Sequence, residues 1–174
     1  SDIVSMYGRS TKWDSHFYLT GRQGLFPEYP SSTTTKIILT ESIIDACTLL
    51  QFPNLTNDFS ILALYGVNGW TGCHQQAITS LERLEEVVLF LDGDTAGRTA
   101  ALKIAQELNE KFPQIEITQI ATPDDEDANS LIGSKSIKIF NELLENRAVL
   151  FQEKVPQQQS NLVSIVHDQS NPPS

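Results

Sequence analysis

The sequence predicts an α/β domain, a parallel sheet with helices on both faces. Three observations predict it. Strand-like and helix-like stretches alternate four times between Lys36 and Ala148, as parallel strands joined by helical crossovers do. The strand-like stretches are continuous apolar runs, the mark of strands buried on both faces. Each run ends in polar or acidic residues, at the strand end where open α/β sheets place their sites.

Bulk properties bound the reading. The 174 residues, 40% of them hydrophobic, can bury one substantial core. No apolar run approaches the roughly 20 residues that a membrane helix needs, and no signal-peptide pattern is visible. The chain opens without a Met, so we expect a piece of a longer protein. Cys47 and Cys73 lack metal-binding spacing; Cys47, in an apolar helical stretch, is expected to be a small core residue. His16, His74 and His167 form no ligand motif. A reducing cytoplasm fits this cysteine usage. The formal charge of −10 argues against a free-standing nucleic-acid binder with a basic face. It suits a site that gathers carboxylates around a divalent metal.

The elements follow in order. Residues 1–35 read as short strands and turns, Ile3 to Tyr7 and His16 to Leu19, broken at Gly8, Gly21, Gly24 and Pro27. With Lys36, this region holds Arg9, Lys12 and Arg22, four of the 12 basic residues. Lys36 to Glu41 is a buried strand, continued by a helix from Ser42 to about Phe52. Pro53 to Asp58 is a loop. Ser60 to Tyr65 is the second strand, stopped by Gly66-Val67-Asn68-Gly69. Residues 73–84 carry Ala77, Ile78, Leu81 and Leu84 on one helical side. Val87 to Leu91 is the central strand. A helix over Arg98 to Phe112 turns Ala101, Ile104, Ala105 and Leu108 inward. Glu116 to Ala121 is the fourth strand, and Ser136 to Ala148 a last amphipathic helix. Residues 36–150 are thus one domain, and 151–174 read as a linker or disordered tail. Leu162 to Val166 has strand character without an evident partner.

The central strand ends in Asp92-Gly93-Asp94. Residues two apart in an extended segment point the same way, so both carboxylates can face one point. Gly93 would let a ligand approach the backbone. An Asp-Gly turn with Asp94 or Thr95 capping the next helix explains the same residues. Glu41 ends the first strand, Asp45 lies one helical turn on, and Asp124, Asp125 and Asp127 follow the fourth. Taken singly, each of these acids is an ordinary helix-start or surface carboxylate. Together they converge on one sheet edge, where like charges at 4 Å repel by about 1 kcal/mol in water and more in protein. A hard divalent cation, Mg²⁺ or Mn²⁺, relieves that repulsion.

These residues resemble a family. Thr40-Glu41-Ser42-Ile43-Ile44-Asp45-Ala46, Leu64-Tyr65-Gly66 and Leu91-Asp92-Gly93-Asp94-Thr95-Ala96-Gly97-Arg98 are similar to the Toprim domain of DnaG-type primases, in bacteria or mobile elements. Asp127-Ala128-Asn129 resembles the D-x-N element of phage and mitochondrial primase-helicases. Tyr7-Gly8-Arg9 and Tyr18, with Gly24-Leu25-Phe26, resemble the end of the subdomain that precedes Toprim. Two positions depart from the family pattern: Ser42 replaces the usual Gly, and Phe17 the Lys that often precedes the Tyr.

The resemblance implies a Rossmann-like, four-stranded parallel sheet with a small β-rich N-terminal remnant. It also implies metal-dependent nucleotidyl transfer, making RNA primers from NTPs on a single-stranded DNA template. Asp92 and Asp94 would bind metal, helped by Asp125 or Asp127. Glu41 would be a further ligand or take the hydroxyl proton, and Asp45 a ligand or a neighbour of ligands. Arg9, Tyr18, Arg22 and Arg98 would contact template or nucleotide; a solvated helix arginine explains Arg98 equally. A helicase or other replication proteins would be partners. Toprim nucleases and topoisomerases share the motifs, but Tyr7, Tyr18, Tyr29 and Tyr65 are poorly placed for a topoisomerase nucleophile. A non-catalytic module binding nucleic acid or protein is the third reading.

Overall fold

The computed structural model describes residues 5–13, 15–21, 23–135 and 137–152. The polypeptide first forms an antiparallel hairpin of β1 (Tyr7–Arg9) and β2 (His16–Tyr18), with Tyr7 opposite Tyr18. A five-stranded sheet follows, built from β3 (Lys36–Thr40), β4 (Ser60–Ala63), β5 (Glu86–Phe90), β6 (Glu116–Gln119) and β7 (Ala148–Phe151). Its order is β4-β3-β5-β6-β7. The first four strands are parallel, as the apolar runs predict. After β4 the chain returns across β3 to lay down β5. This reversal of strand order makes a crevice at the C-terminal ends of β3 and β5.

The helices lie on two faces because each crossover must cover one. On one face α3 (Gly72–Thr79) and α4 (Thr95–Lys111) bury Ala77, Ile78, Ala101, Ile104, Ala105 and Leu108 against Leu39, Leu62 and Leu89. On the other, α1 (Ile43–Leu49), α5 (Ala128–Lys135) and α6 (Ile137–Glu145) pack Ala46, Leu49, Leu131 and Phe140 against Ile38, Val88 and Phe90. Every residue of β5 is buried, so the strand that carries Asp92 is held on both sides.

Three expectations change. The four parallel strands gain a fifth, β7, antiparallel to β6, where the sequence reads as the end of a helix. Four apolar residues after Arg147 are too short a run to declare a strand; β6 supplies the pairing. Second, α1 stops at Leu49, and the predicted loop holds a single helical turn, α2 (Pro53–Thr56), with proline at its first position. Third, Cys47 is exposed. It lies on the outer side of α1, while its neighbours Ala46 and Leu49 face the sheet.

At the opposite end of β5, Glu86 is buried and bound by the Arg147 guanidinium, whose Nη2 donates to Oε2 at 2.9 Å. The Thr118 hydroxyl donates to Glu86 Oε1 at 2.8 Å. This network ties the turn before β7 to the bottom of the central strand, far from the crevice.

Candidate carboxylate site

Glu41 follows β3 directly, and its carboxylate sits beside the end of β5: the Asp92 amide donates to Glu41 Oε2 at 3.4 Å. Strand pairing dictates this meeting, because Thr40 and Phe90 are partners in register. Asp94 is the N-cap of α4, its Oδ1 accepting from the Gly97 amide at 2.6 Å. The capping reading of the Asp-Gly-Asp turn therefore holds: Asp94 is exposed and does not line the pocket that Glu41 and Asp92 share, though its charge acts on both.

Asp45 is buried and its carboxylate accepts three hydrogen bonds. Its Oδ2 accepts from the Ser42 hydroxyl at 2.6 Å and from the Ser42 amide at 3.2 Å, and its Oδ1 from the Asn129 amide at 3.1 Å. Ser42 returns the bond as N-cap of α1, forming a capping box. The serine that stands where the family has glycine thus builds the helix start. Through Asn129, the same carboxylate fastens the β6–α5 turn to α1, and Asn129 Oδ1 accepts from Thr48 at 3.0 Å. Asp127 accepts from the Ser130 amide at 2.6 Å.

Glu41, Ser42, Asp45, Asp92 and Asp127 line one pocket of about 490 Å³, with Arg9 and Tyr18 reaching in from the hairpin. Burial pushes the Asp92 carboxyl up to about 7, with the charges of Glu41, Asp45 and Asp127 adding to it. Glu41 is raised by burial and by Asp94, Asp45 and Asp127, against the Asp92 amide. Burial also raises Asp45. Carboxylates that raise one another in this way fit a hard divalent cation chemically. Among the described residues, no three His, Cys, Asp or Glu side chains are drawn tightly enough to hold an ion as they stand.

Other expected site residues lie elsewhere. Asp125 is exposed, with a left-handed backbone (φ 59°), and does not line the pocket. Arg98 does not line the pocket; it is bound to Asp124 and donates to the Gly93 carbonyl at 2.9 Å, and it shares a neighbouring cavity with Asp92. Arg22 falls outside the described residues. Gly93 serves the chain rather than a ligand, since a Cβ there would overlap the Pro123 carbonyl. Tyr65 and Asn68 line the pocket and were missed. Their signal was position: they follow β4, whose C-terminal end shares the edge.

The fold and the pocket define an α/β protein with a carboxylate site at parallel strand ends. A family model described as Toprim-like matches residues 38–132. That is more than half of the chain, which belongs to this family. No curated protein sequence matches the chain. Among solved structures, the zinc-binding and RNA polymerase domains of Aquifex aeolicus primase align with a TM-score of 0.64 at 18% identity, over 84% of this chain and 38% of that one. The primase fragment of the bacteriophage T7 primase-helicase gives 0.64 at 22% identity, over 82% and 58%. A bacteriophage T7 lagging-strand DNA polymerase structure, with primase domains of two gp4 subunits bound to an RNA/DNA hybrid and dTTP, gives 0.62 at 21%, over 83% and 71%. The chain spans well under two thirds of the first two structures, and these identities speak for the fold. No helix among the described residues is long and apolar enough to cross a membrane.

Proposed function

We propose that this chain is the Toprim core of a DNA primase, joining ribonucleotides on a single-stranded DNA template by divalent-metal-dependent nucleotidyl transfer. The observation that carries the reading is the meeting of Glu41, Asp92 and Asp127, from three separate strand ends, in one pocket that also receives Arg9 and Tyr18.

Mg²⁺ or Mn²⁺, when bound, would offset charge on the attacking and leaving oxygens. Asp92 and Asp94 are the residues to hold it, with Asp127 beside them. Glu41, raised by its surroundings, is poised to accept the proton of the attacking 3′-hydroxyl or to complete the ligand set. Asp45, its acceptor lone pairs already engaged by Ser42 and Asn129, positions the two turns that carry the other acids. Arg9 meets the phosphates or the template strand, the cation that an acidic pocket needs opposite its carboxylates. A helicase or polymerase is the expected protein partner, as the T7 assembly pairs primase domains with a polymerase.

Primer synthesis from NTPs by the full-length protein tests this. Asp92→Asn with Asp94→Asn is expected to lower it by at least 100-fold without lowering the melting temperature, because Asn caps a helix as well as Asp does. Metal-dependent cleavage of labelled DNA without primer synthesis would move the assignment to a Toprim nuclease.

A further inference from the structure

A second cavity, of about 460 Å³, opens beside the acid pocket, walled by Met6, Tyr7, Leu25, Phe26 and Ile43. Tyr65 lines both. We propose that this cavity receives the nucleobase of the nucleoside triphosphate whose phosphates the acid pocket handles, with the Tyr65 ring as the surface against which the base lies. The proposal rests on the nucleotide-transfer reading and adds where the base goes.

The two cavities have opposite chemistry. One is lined by carboxylates and Arg9, the other mostly by aliphatic and aromatic side chains, with Ser5 and Gln23 as its polar members. A nucleoside triphosphate has the same division: a charged, metal-binding end and a flat apolar ring with polar edges. Its ribose spans the short distance between them. The volume lies within the roughly 300–1,000 Å³ of small-molecule sites.

Tyr65 is built to stay in place. Its backbone is left-handed (φ 65°), a region that non-glycine residues seldom occupy and that marks functional positions. Strand-end bonds on both sides enforce it. The Leu64 amide donates to the Thr40 carbonyl at 2.9 Å, and the Gly66 amide to the Glu41 carbonyl at 2.7 Å. The ring stands edge-on to Tyr18, with centroids 6.2 Å apart, and 6.4 Å from His74. His74 is itself buried and fixed by the Ala63 carbonyl at 3.0 Å. A flat side chain held in a strained backbone between two cavities is what a base-stacking wall requires.

Calorimetry with two probes, ATP and inorganic tripolyphosphate, each with Mg²⁺, tests the proposal. Tyr65→Asn removes the ring, and Asn tolerates the left-handed backbone; Tyr65→Gly is the second variant should Tyr65→Asn melt early. The protein is expected to bind ATP at least ten-fold more tightly than tripolyphosphate. Tyr65→Asn should abolish that difference, bringing the ATP affinity down to that of tripolyphosphate. Equal affinity for the two probes in the unaltered protein overturns the base site and leaves the metal–phosphate reading standing, as does an equal loss of both in the variant. Loss of affinity for a single-stranded oligonucleotide, with ATP binding intact, also overturns it by giving the cavity to a template base. Failure of both phosphate probes overturns this proposal together with the function it rests on.

Discussion

Asp92 carries the largest electrostatic load of the described acids. Its carboxyl titrates near 7 in the fold against 3.8 for an ordinary aspartate, first because it is buried and then because Glu41 is beside it. The folded state therefore holds more protons than the unfolded state between about pH 4 and 7, and stability falls as pH rises through that window. In chelator-containing buffer, chemical denaturation is expected to show this decline, with Asp92→Asn losing much of it. The variant should be more stable than the parent at pH 8 by about 1–2 kcal/mol, well under the full conversion of the shift, because Asp92 is only half-buried. At this scale the sequence was informative about identity and weak about partners. Glu41, Asp92 and Asp127 were legible because strand ends announce themselves. That Asp45 is spent on Ser42 and Asn129, or that Arg98 is bound to Asp124, depends on side-chain directions that spacing does not fix.

Helices and strands set the next level. The turn after β5 is a packed joint: the Gly93 amide donates to the Glu126 carbonyl at 2.8 Å. Gly93→Ala is expected to push the β6–α5 turn away, carrying Asp127 from the pocket. It should cost about 2–4 kcal/mol, in the range of severe backbone and packing clashes, read by urea denaturation. At the other end of the sheet, Arg147→Ala leaves the buried Glu86 with only the Thr118 hydroxyl and Lys36, its Nζ 4.0 Å away, and is expected to destabilise by about 3 kcal/mol. Magnesium affinity should be unchanged there, because the crevice is a full strand length away. The helices α1, α3, α4 and α6 and the four parallel strands were readable from apolar period; α5, which buries Ala128 and Leu131, was not, because it follows an acidic turn and is only two turns long. The strand β7 was not, since its pairing partner, not its composition, makes it a strand, and α2 escaped because one helical turn leaves no period to detect.

Across the whole molecule, repulsion at the edge is a cost that a cation removes. Mg²⁺ at ten times its dissociation constant should stabilise the native state by about 1.4 kcal/mol, a rise of roughly 3–5 °C in Tm for a domain of this size. Asp92→Asn with Asp94→Asn should show no rise. The net charge of −10 argues against binding through a broad basic face. It gave no hint that a separate hairpin would bring Arg9 and Tyr18 to line the pocket. That arrangement has a consequence for how such a protein changes over time. The acids Glu41 and Asp92 are spaced by the hydrogen-bonded ladder between β3 and β5, whereas the hairpin meets the edge through side chains, the Tyr18 ring lying against Tyr65. Under the proposed function, substitutions in the hairpin would retune which strand or nucleotide is admitted while the distance from Glu41 to Asp92 stays as it is, so that recognition would drift and chemistry be inherited.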